Sequence, residues 1–110
     1  MPEFALLFRP ITPVDPAELP RRNAAARAWA LARREEGVLR AASPLEDAGF
    51  TVSGQGVAMV SGDGAVASVL VVQAPNLVSA VALAKGHPGL AFGTEIEVRP
   101  VKPVAPPTSP

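Results

Sequence analysis

The fold is decided by the stretch Ala84-Lys85-Gly86-His87-Pro88-Gly89-Leu90 and, a few residues later, by Glu95-Ile96-Glu97-Val98-Arg99-Pro100-Val101. The first stretch predicts the end of a helix, because glycine supplies a stop and proline cannot continue the helix. The second alternates apolar and charged side chains, which predicts a strand. Glu3-Phe4-Ala5-Leu6-Leu7-Phe8-Arg9 predicts a strand near the other end of the chain. We expect these first and last strands to lie side by side in one sheet.

The composition bounds the size and the partners of the protein. Its 110 residues, 48% apolar and 18% charged, predict one domain with a modest core. Ten basic residues balance ten acidic ones, so we expect neither a nucleic acid nor a membrane as partner. The absence of cysteine excludes disulfides, thiolate metal sites and a cysteine nucleophile. The apolar run at residues 4–8 ends too early for a signal peptide or a membrane span, and we expect a cytoplasmic protein.

A helix start is encoded by Asp15-Pro16-Ala17-Glu18, in which an aspartate cap, a proline and an acidic residue satisfy or remove free backbone N–H groups. Pro20 is expected to break this first turn, so that the main helix covers residues 21–36 and stops at Gly37. The helix should have an apolar stripe and a wetter face. The stripe comprises Ala24, Ala25, Ala28, Leu31 and Ala32, and the wetter face comprises Arg22, Arg33 and Arg34.

Alternation and turn residues predict the remaining elements. Strands are expected over residues 38–41, 51–52, 57–60, 69–72 and 95–99, and a helix over residues 77–85. Ser53-Gly54-Gln55-Gly56 predicts a hairpin turn, and Asp63-Gly64 a second turn. The continuous apolar run at residues 69–72 predicts a strand covered on both faces. Residues 103–110 form a proline-rich tail that we expect to be extended and mobile, which leaves one domain over residues 1–102.

The order of these elements is strand, helix, strand, hairpin, strand, helix, strand. It predicts an α+β domain with an antiparallel sheet in the split βαβ, or ferredoxin-like, arrangement, with both helices on one face. The other face would leave apolar side chains of residues 4–8 and 69–72 uncovered, and soluble monomers rarely expose a patch of that size. A second copy related by two-fold symmetry would cover it, so we expect a homodimer.

Several stretches resemble one family of small bacterial proteins. Residues 3–9 look like the first strand of that family. Ala28-Trp29, with Gly37, Leu39 and Leu45, looks like its tryptophan-containing helix and the strand that follows. The last third of the family is matched by residues 71–74, Ala80, 84–86, Pro88 and 97–101. The chain is thus similar to the YCII-related, or DGPF-type, domain proteins over roughly residues 3 to 101. The resemblance implies a dimeric ferredoxin-like α+β barrel. It also implies either a small-molecule enzyme or an accessory protein linked to extracytoplasmic-function sigma factors.

The chain departs from this family in its middle. Family members carry Asp-Gly-Pro-Phe and a polar, lysine-containing hairpin, where this chain has Asp63-Gly64-Ala65-Val66 and a shorter segment. Some relatives are proposed to use a His and Asp pair with the histidine on the first helix, and residues 21–36 contain no histidine. That pair is therefore not carried over.

His87 and Asp63 are the candidate catalytic residues. His87 is the only histidine, and its unperturbed pKa of about 6.5 suits proton transfer at neutral pH. At a helix end it can instead bond free carbonyl groups. Asp63 precedes a glycine, a pair that is typical of turns. Trp29 is either a core residue or the wall of a pocket.

Arg9 and Arg99 end the first and last strands, which are expected to be neighbours. Two guanidinium groups at one sheet edge could bind a carboxylate or phosphate, with Trp29 as an aromatic wall beside them. The alternative is ion pairing with Glu3, Glu95 or Glu97. The sequence shows no metal-ligand cluster, phosphate loop or nucleophile motif, so no metal and no cofactor are predicted.

Two functions of different class remain open. The first is a non-catalytic or regulatory homodimer that binds a protein partner or a small anionic or carbonyl-bearing molecule. The second, implied by the resemblance, is a cofactor-free enzyme of the dimeric α+β barrel type. It would be a lyase, isomerase, hydrolase or monooxygenase acting on a small organic acid or a polyketide-like substrate. A single pocket that collects Arg9, Trp29, His87 and Arg99 would favour the enzyme.

Overall fold

The computed structural model describes residues 1–60 and 65–103. Asp63 and the tail from residue 104 onward lie outside the described residues. The regular elements follow the predicted order. They are β1 (Glu3–Pro10), α1 (Leu19–Glu35), β2 (Leu39–Pro44), β3 (Phe50–Ser53), β4 (Gly56–Met59), β5 (Ser68–Gln73), α2 (Leu77–Lys85) and β6 (Thr94–Pro100), with short 3-10 helices at Pro16–Glu18 and Pro88–Phe92.

The main sheet has four antiparallel strands in the order β2-β5-β1-β6. β1 pairs with β6 along its length, with Leu7 opposite Glu97, so the predicted contact between the first and last strands is confirmed. β3 and β4 form a separate two-stranded hairpin. The α+β fold with an antiparallel sheet and two helices is confirmed, and the strand order is consistent with the ferredoxin-like arrangement.

The core lies between one face of the sheet and the two helices. Alternate residues of a strand point to opposite faces, and the core face of β1 carries Phe4, Leu6 and Phe8, all buried. β5 adds two buried side chains, and each helix adds its own. These are Leu70 and Val72 from β5, Trp29 from α1, and Ala80 and Ala84 from α2. Both helices therefore cover the same face of the sheet.

The start and the phase of α1 differ from the sequence-based expectation. The helix begins at Leu19, and Pro20 lies in its first turn, where a proline is tolerated because the N–H it lacks would have no partner in the helix. Ala24, Ala28 and Leu31 are exposed, and Trp29 faces the core instead. Because alanine is frequent all around this helix, the bulkiest side chain sets which face is buried. Arg22 and Arg33, predicted on the wetter face, are half-buried beside it.

The second face of the sheet carries no helix in the described part of the chain. Val69 and Val71 of β5 lie on this open face, opposite Leu7 and Ala5 of β1. All four are only half-buried in the single chain. The run at residues 69–72 was predicted to be covered on both faces. The described part of one chain fully buries only the face that carries Leu70 and Val72.

Candidate functional site

The imidazole of His87 is positioned by the turn that follows α2. His87 caps the 3-10 helix Pro88–Phe92, and its Nδ1 accepts a hydrogen bond of 2.9 Å from the backbone N–H of Gly89. Gly89 makes this possible because a Cβ there would lie 2.9 Å from the same Nδ1 atom. The predicted helix end at Gly86 and Pro88 is confirmed, and it orients the only histidine of the chain toward the core.

His87 is buried among aromatic rings. It is only 8% exposed, and the ring centroids of Phe8 and Trp29 each lie 4.7 Å from its own in edge-to-face geometry. Burial penalises the charged form and lowers the pKa of His87 from 6.5 to about 4. The imidazole is therefore neutral at physiological pH. Because Nδ1 accepts a hydrogen bond, we assign the proton to Nε2, which makes that atom a donor.

A cleft of about 350 Å³ opens beside His87. It lies between α1, the adjoining ends of β1, β2 and β5, and the turn that follows α2. Its lining combines an aromatic floor with several polar groups: Phe8, Arg22, Asn23, Asp47, Ser68 and His87. An apolar recess of about 250 Å³ shares Phe8, Ser68 and His87 with the cleft and reaches Ala30 and Leu70. The site thus combines polar groups with an adjoining apolar surface, which is typical of small-molecule sites.

Arg22 places a positive charge on one wall of this cleft. Its Nε and Nη2 atoms donate to Oδ1 of Asn23 at 3.2 and 3.1 Å, which holds the side chain while leaving other N–H groups available. Asp47, which also lines the cleft, carries a negative charge. The arrangement can donate hydrogen bonds to an acceptor oxygen through Arg22 and His87. It can also accept one from a hydroxyl group through Asp47.

Trp29 lies behind His87 rather than in the cleft itself. The indole is buried, and its Nε1 atom has no hydrogen-bond partner within the described residues. The guanidinium of Arg33 lies 5.5 Å from the centroid of the indole ring, at cation–π distance. Of the two alternatives that the sequence left open, core residue or pocket wall, the core position is the one observed.

Arg9 and Arg99 do not share a pocket with Trp29. Nη1 of Arg9 lies 2.6 Å from Oε1 of Glu97, and Nη1 of Arg99 lies 3.5 Å from Oε2 of the same carboxylate. All three lie on the open face of the sheet, whereas Trp29 packs against the core face, because neighbouring residues of a strand point to opposite sides. The expected constellation of two arginines and an aromatic wall is therefore not assembled. The ion-pair alternative with Glu97 is what the structure shows.

The cleft collects residues that the sequence-based reasoning did not single out. Arg22, Ala26 and Trp29 follow one another at helical spacings of four and three, so a helix phase set by Trp29 would have placed Arg22 on the core-facing side. Asp47 and Ser68 lie in or next to connecting segments, where periodicity carries no signal. Of the two candidate catalytic residues, His87 lies in the cleft, and Asp63 is outside the described residues.

Comparisons with protein-family models and with curated proteins give no match for this chain. Over residues 1–60 and 65–103, no group of three or more His, Cys, Asp or Glu side chains is arranged to hold a metal ion. None of the helices in that part of the chain combines the length and the apolar character needed to cross a bilayer.

Proposed function

We propose that this protein is a cytoplasmic, homodimeric binding protein of the YCII-related type, with a non-catalytic or regulatory role. Two ferredoxin-like chains would form a dimeric α+β barrel, and each chain would bind a small carbonyl- or carboxylate-bearing molecule in the cleft beside His87. The observation that carries the proposal is the neutral, buried imidazole of His87, with its proton assigned to Nε2, in the lining of both the polar cleft and the apolar recess.

The lining of the cleft supports this ligand class. Arg22 and the Nε2–H of His87 are donors, which suits a carboxylate or a ketone oxygen. The recess next to Ala30 and Leu70 is apolar and suits a short hydrocarbon tail. A small organic acid or keto compound with an aliphatic or aromatic tail would satisfy both regions at once.

The state of His87 favours binding over proton-transfer chemistry. A general base needs a free lone pair and a pKa near the working pH. Nδ1 of His87 is already bonded to the N–H of Gly89, and its pKa of about 4 leaves it a weak base. The cofactor-free enzyme remains the alternative function. The pocket of Arg9, Trp29, His87 and Arg99 that would favour it is divided between the two faces of the sheet.

The open face of the sheet supports the homodimer. Its centre is apolar, with Leu7, Val69 and Val71 half-buried in one chain. Two of its cationic side chains, Arg9 and Arg99, share an ion pair with the carboxylate of Glu97. Sheet faces with apolar centres pack against each other at about 10 Å separation, and a two-fold axis would let each copy cover the other.

The ligand proposal is tested with a panel of hexanoate, benzoate, acetoacetate, 2-heptanone and hexylamine. Binding is followed by the melting temperature and by the fluorescence of Trp29, the only tryptophan. We expect carboxylates and ketones to bind and the amine not to bind. Arg22→Met should weaken carboxylate binding by at least about tenfold, since a charge-assisted hydrogen bond contributes about 1.5–3 kcal/mol.

Arg34→Met is the matched control, because Arg34 is exposed on the same helix and does not line the cleft. It should leave binding unchanged. Binding of no panel member, or equal losses in the Arg22 and Arg34 variants, would overturn the ligand proposal. A loss on Arg99→Met instead would place the site on the open face of the sheet.

A further inference from the structure

The hairpin formed by β3 and β4 carries an apolar face that the described part of the chain does not cover. Phe50 lies directly opposite Met59, and Val52 lies opposite Val57, so all four side chains share one face. They are 69%, 73%, 75% and 66% exposed, respectively. The predicted hairpin is confirmed, but its most hydrophobic face is exposed rather than packed on the core of the described residues.

An uncovered hairpin of this kind is unstable by itself. Two strands alone are marginally stable in water and need a third strand or a packing surface. Residues 50–60 contain no charged side chain, although charges are the usual protection of exposed strands against association. Four large apolar side chains in one uncharged patch therefore indicate a surface that is covered in the working protein.

We propose that the apolar face of this hairpin packs against a second copy of the chain, at the rim of the interface made by the open faces of the two sheets. The inference rests on the proposed homodimer and adds a segment that the sheet faces alone do not include. Under two-fold symmetry the contact occurs twice, because each hairpin reaches the other copy.

The area needed for a stable dimer supports a second copy of the chain as the partner of the hairpin. A stable interface buries about 800 Å² on each partner. The open face offers few large apolar side chains, mainly Leu7, Val69 and Val71. The four hairpin side chains would add roughly 400 Å², at about 100 Å² for each large apolar side chain. The hairpin would thus supply about half of the required area, and the sheet face would supply the rest.

Charge complementarity points to the same partner. The hairpin has no charges and cannot pair with a charge on the surface that covers it. Any charged group buried on that surface must therefore already have a partner there, because an unpaired buried charge is strongly unfavourable. The open face meets this condition because Glu97 pairs with Arg9 at 2.6 Å, while Arg99, at 3.5 Å from the same carboxylate, is 69% exposed and can keep its charge in water. A strongly charged surface on another protein would not meet this condition.

The absence of cysteine allows a direct test, because a single introduced thiol can be labelled without background. Val57→Cys reports on the hairpin. Val78→Cys is the matched control, since Val78 is 79% exposed on α2, on the helix-covered side of the sheet. Maleimide labelling is measured at concentrations above and below the dimer dissociation constant. We expect Cys at 57 to react at least about tenfold more slowly in the dimer, with no change at 78. Equal labelling of the hairpin thiol at both concentrations overturns the inference.

A second measurement compares the dimer dissociation constants of the Val52→Ser/Val57→Ser double variant and of Val78→Ser. The hairpin variant should dissociate at least about tenfold more readily, and the helix variant should match the wild type. If the wild type is a dimer and the hairpin variant has the same dimer dissociation constant, the hairpin contact alone is overturned. A monomeric wild type overturns the hairpin contact and the homodimer together, whereas ligand binding in the cleft is measured separately.

Discussion

The indole of Trp29 and the imidazole of His87 meet edge to face, with ring centroids 4.7 Å apart. The contact joins α1 to the turn after α2 across the core, and Phe8 of β1 completes it from the sheet side at the same distance from His87. The contact buries the imidazole, and burial disfavours its charged form. Protonation would place a charge among these rings, so the ionisation of His87 is coupled to folding.

The first prediction is a loss of stability at mildly acidic pH. Burial lowers the pKa of His87 from 6.5 in the unfolded chain to about 4 in the folded one. The stability gained by burying a neutral His87 is fully present above pH 6.5. It is lost as the pH falls toward 4, because the unfolded chain binds the proton at a higher pH than the folded chain does. The free energy of unfolding should fall by up to about 3 kcal/mol across this window, at 1.36 kcal/mol per pKa unit.

Urea unfolding followed by Trp29 fluorescence measures this effect at pH 7, 6, 5 and 4. His87→Asn is the control, because asparagine keeps a side-chain acceptor for the N–H of Gly89 and does not titrate. The variant should be less stable at pH 7, owing to lost packing, but with a flatter pH profile. An equally steep profile in the variant would show that carboxylates elsewhere cause the acid sensitivity.

The second prediction separates backbone strain from a steric clash at two glycines. Gly37 and Gly93 have φ values of 76° and 78°, which favour glycine. A Cβ at Gly37 would meet nothing within 4 Å, whereas one at Gly93 would lie 2.6 Å from Cβ of Thr12. Gly37→Ala should destabilise by about 1 kcal/mol and Gly93→Ala by clearly more, measured as free energies of unfolding in urea. Equal losses in the two variants would show that Thr12 moves aside.

The third prediction concerns the start of α2. Oδ1 of Asn76 accepts a hydrogen bond of 2.8 Å from the backbone N–H of Ser79, which caps the helix. Asn76→Ala removes the acceptor and should lower the free energy of unfolding by about 1 kcal/mol. Asn76→Asp keeps an acceptor and should retain the wild-type stability within a few tenths of a kcal/mol. If aspartate destabilised as much as alanine, the amide would have a role beyond capping.

Local signals predicted the elements of this fold well, because they depend on neighbours in the chain. The cap at Asp15 and the stop at Gly37 act over three or four residues, and the structure has both. The phase of α1 could not be set this way. Alanine contributes little to burial on any side, so the tertiary contact of Trp29 decided it.

The site was harder to predict because its parts are distant in the chain. Phe8, Arg22, Asp47, Ser68 and His87 come from five separate segments, and only the packed fold brings them to one cleft. The pairing of β1 with β6 did follow from the sequence, but its antiparallel register places Arg9 opposite Glu95 and Arg99 opposite Ala5, so the two arginines do not lie side by side. Glu97 was one of three ion-pair partners that the sequence left open, and the alternation of β6 places it on the same face as Arg99, two residues before it.

The last prediction tests the dimer through Val71. Its side chain is half-buried at the centre of the open face, opposite Ala5 of β1 and Ala41 of β2. Val71→Asp would place an unpaired charge in the proposed interface, where burial without a partner is strongly unfavourable. In a single chain the same carboxylate would still reach water. Light scattering at micromolar concentration should give twice the 11.3 kDa chain mass for the wild type and a single chain mass for the variant. Val78→Asp, on the exposed side of α2, should remain a dimer. A Val71→Asp variant with unchanged mass and melting temperature would show that the open face is not the surface through which the copies associate.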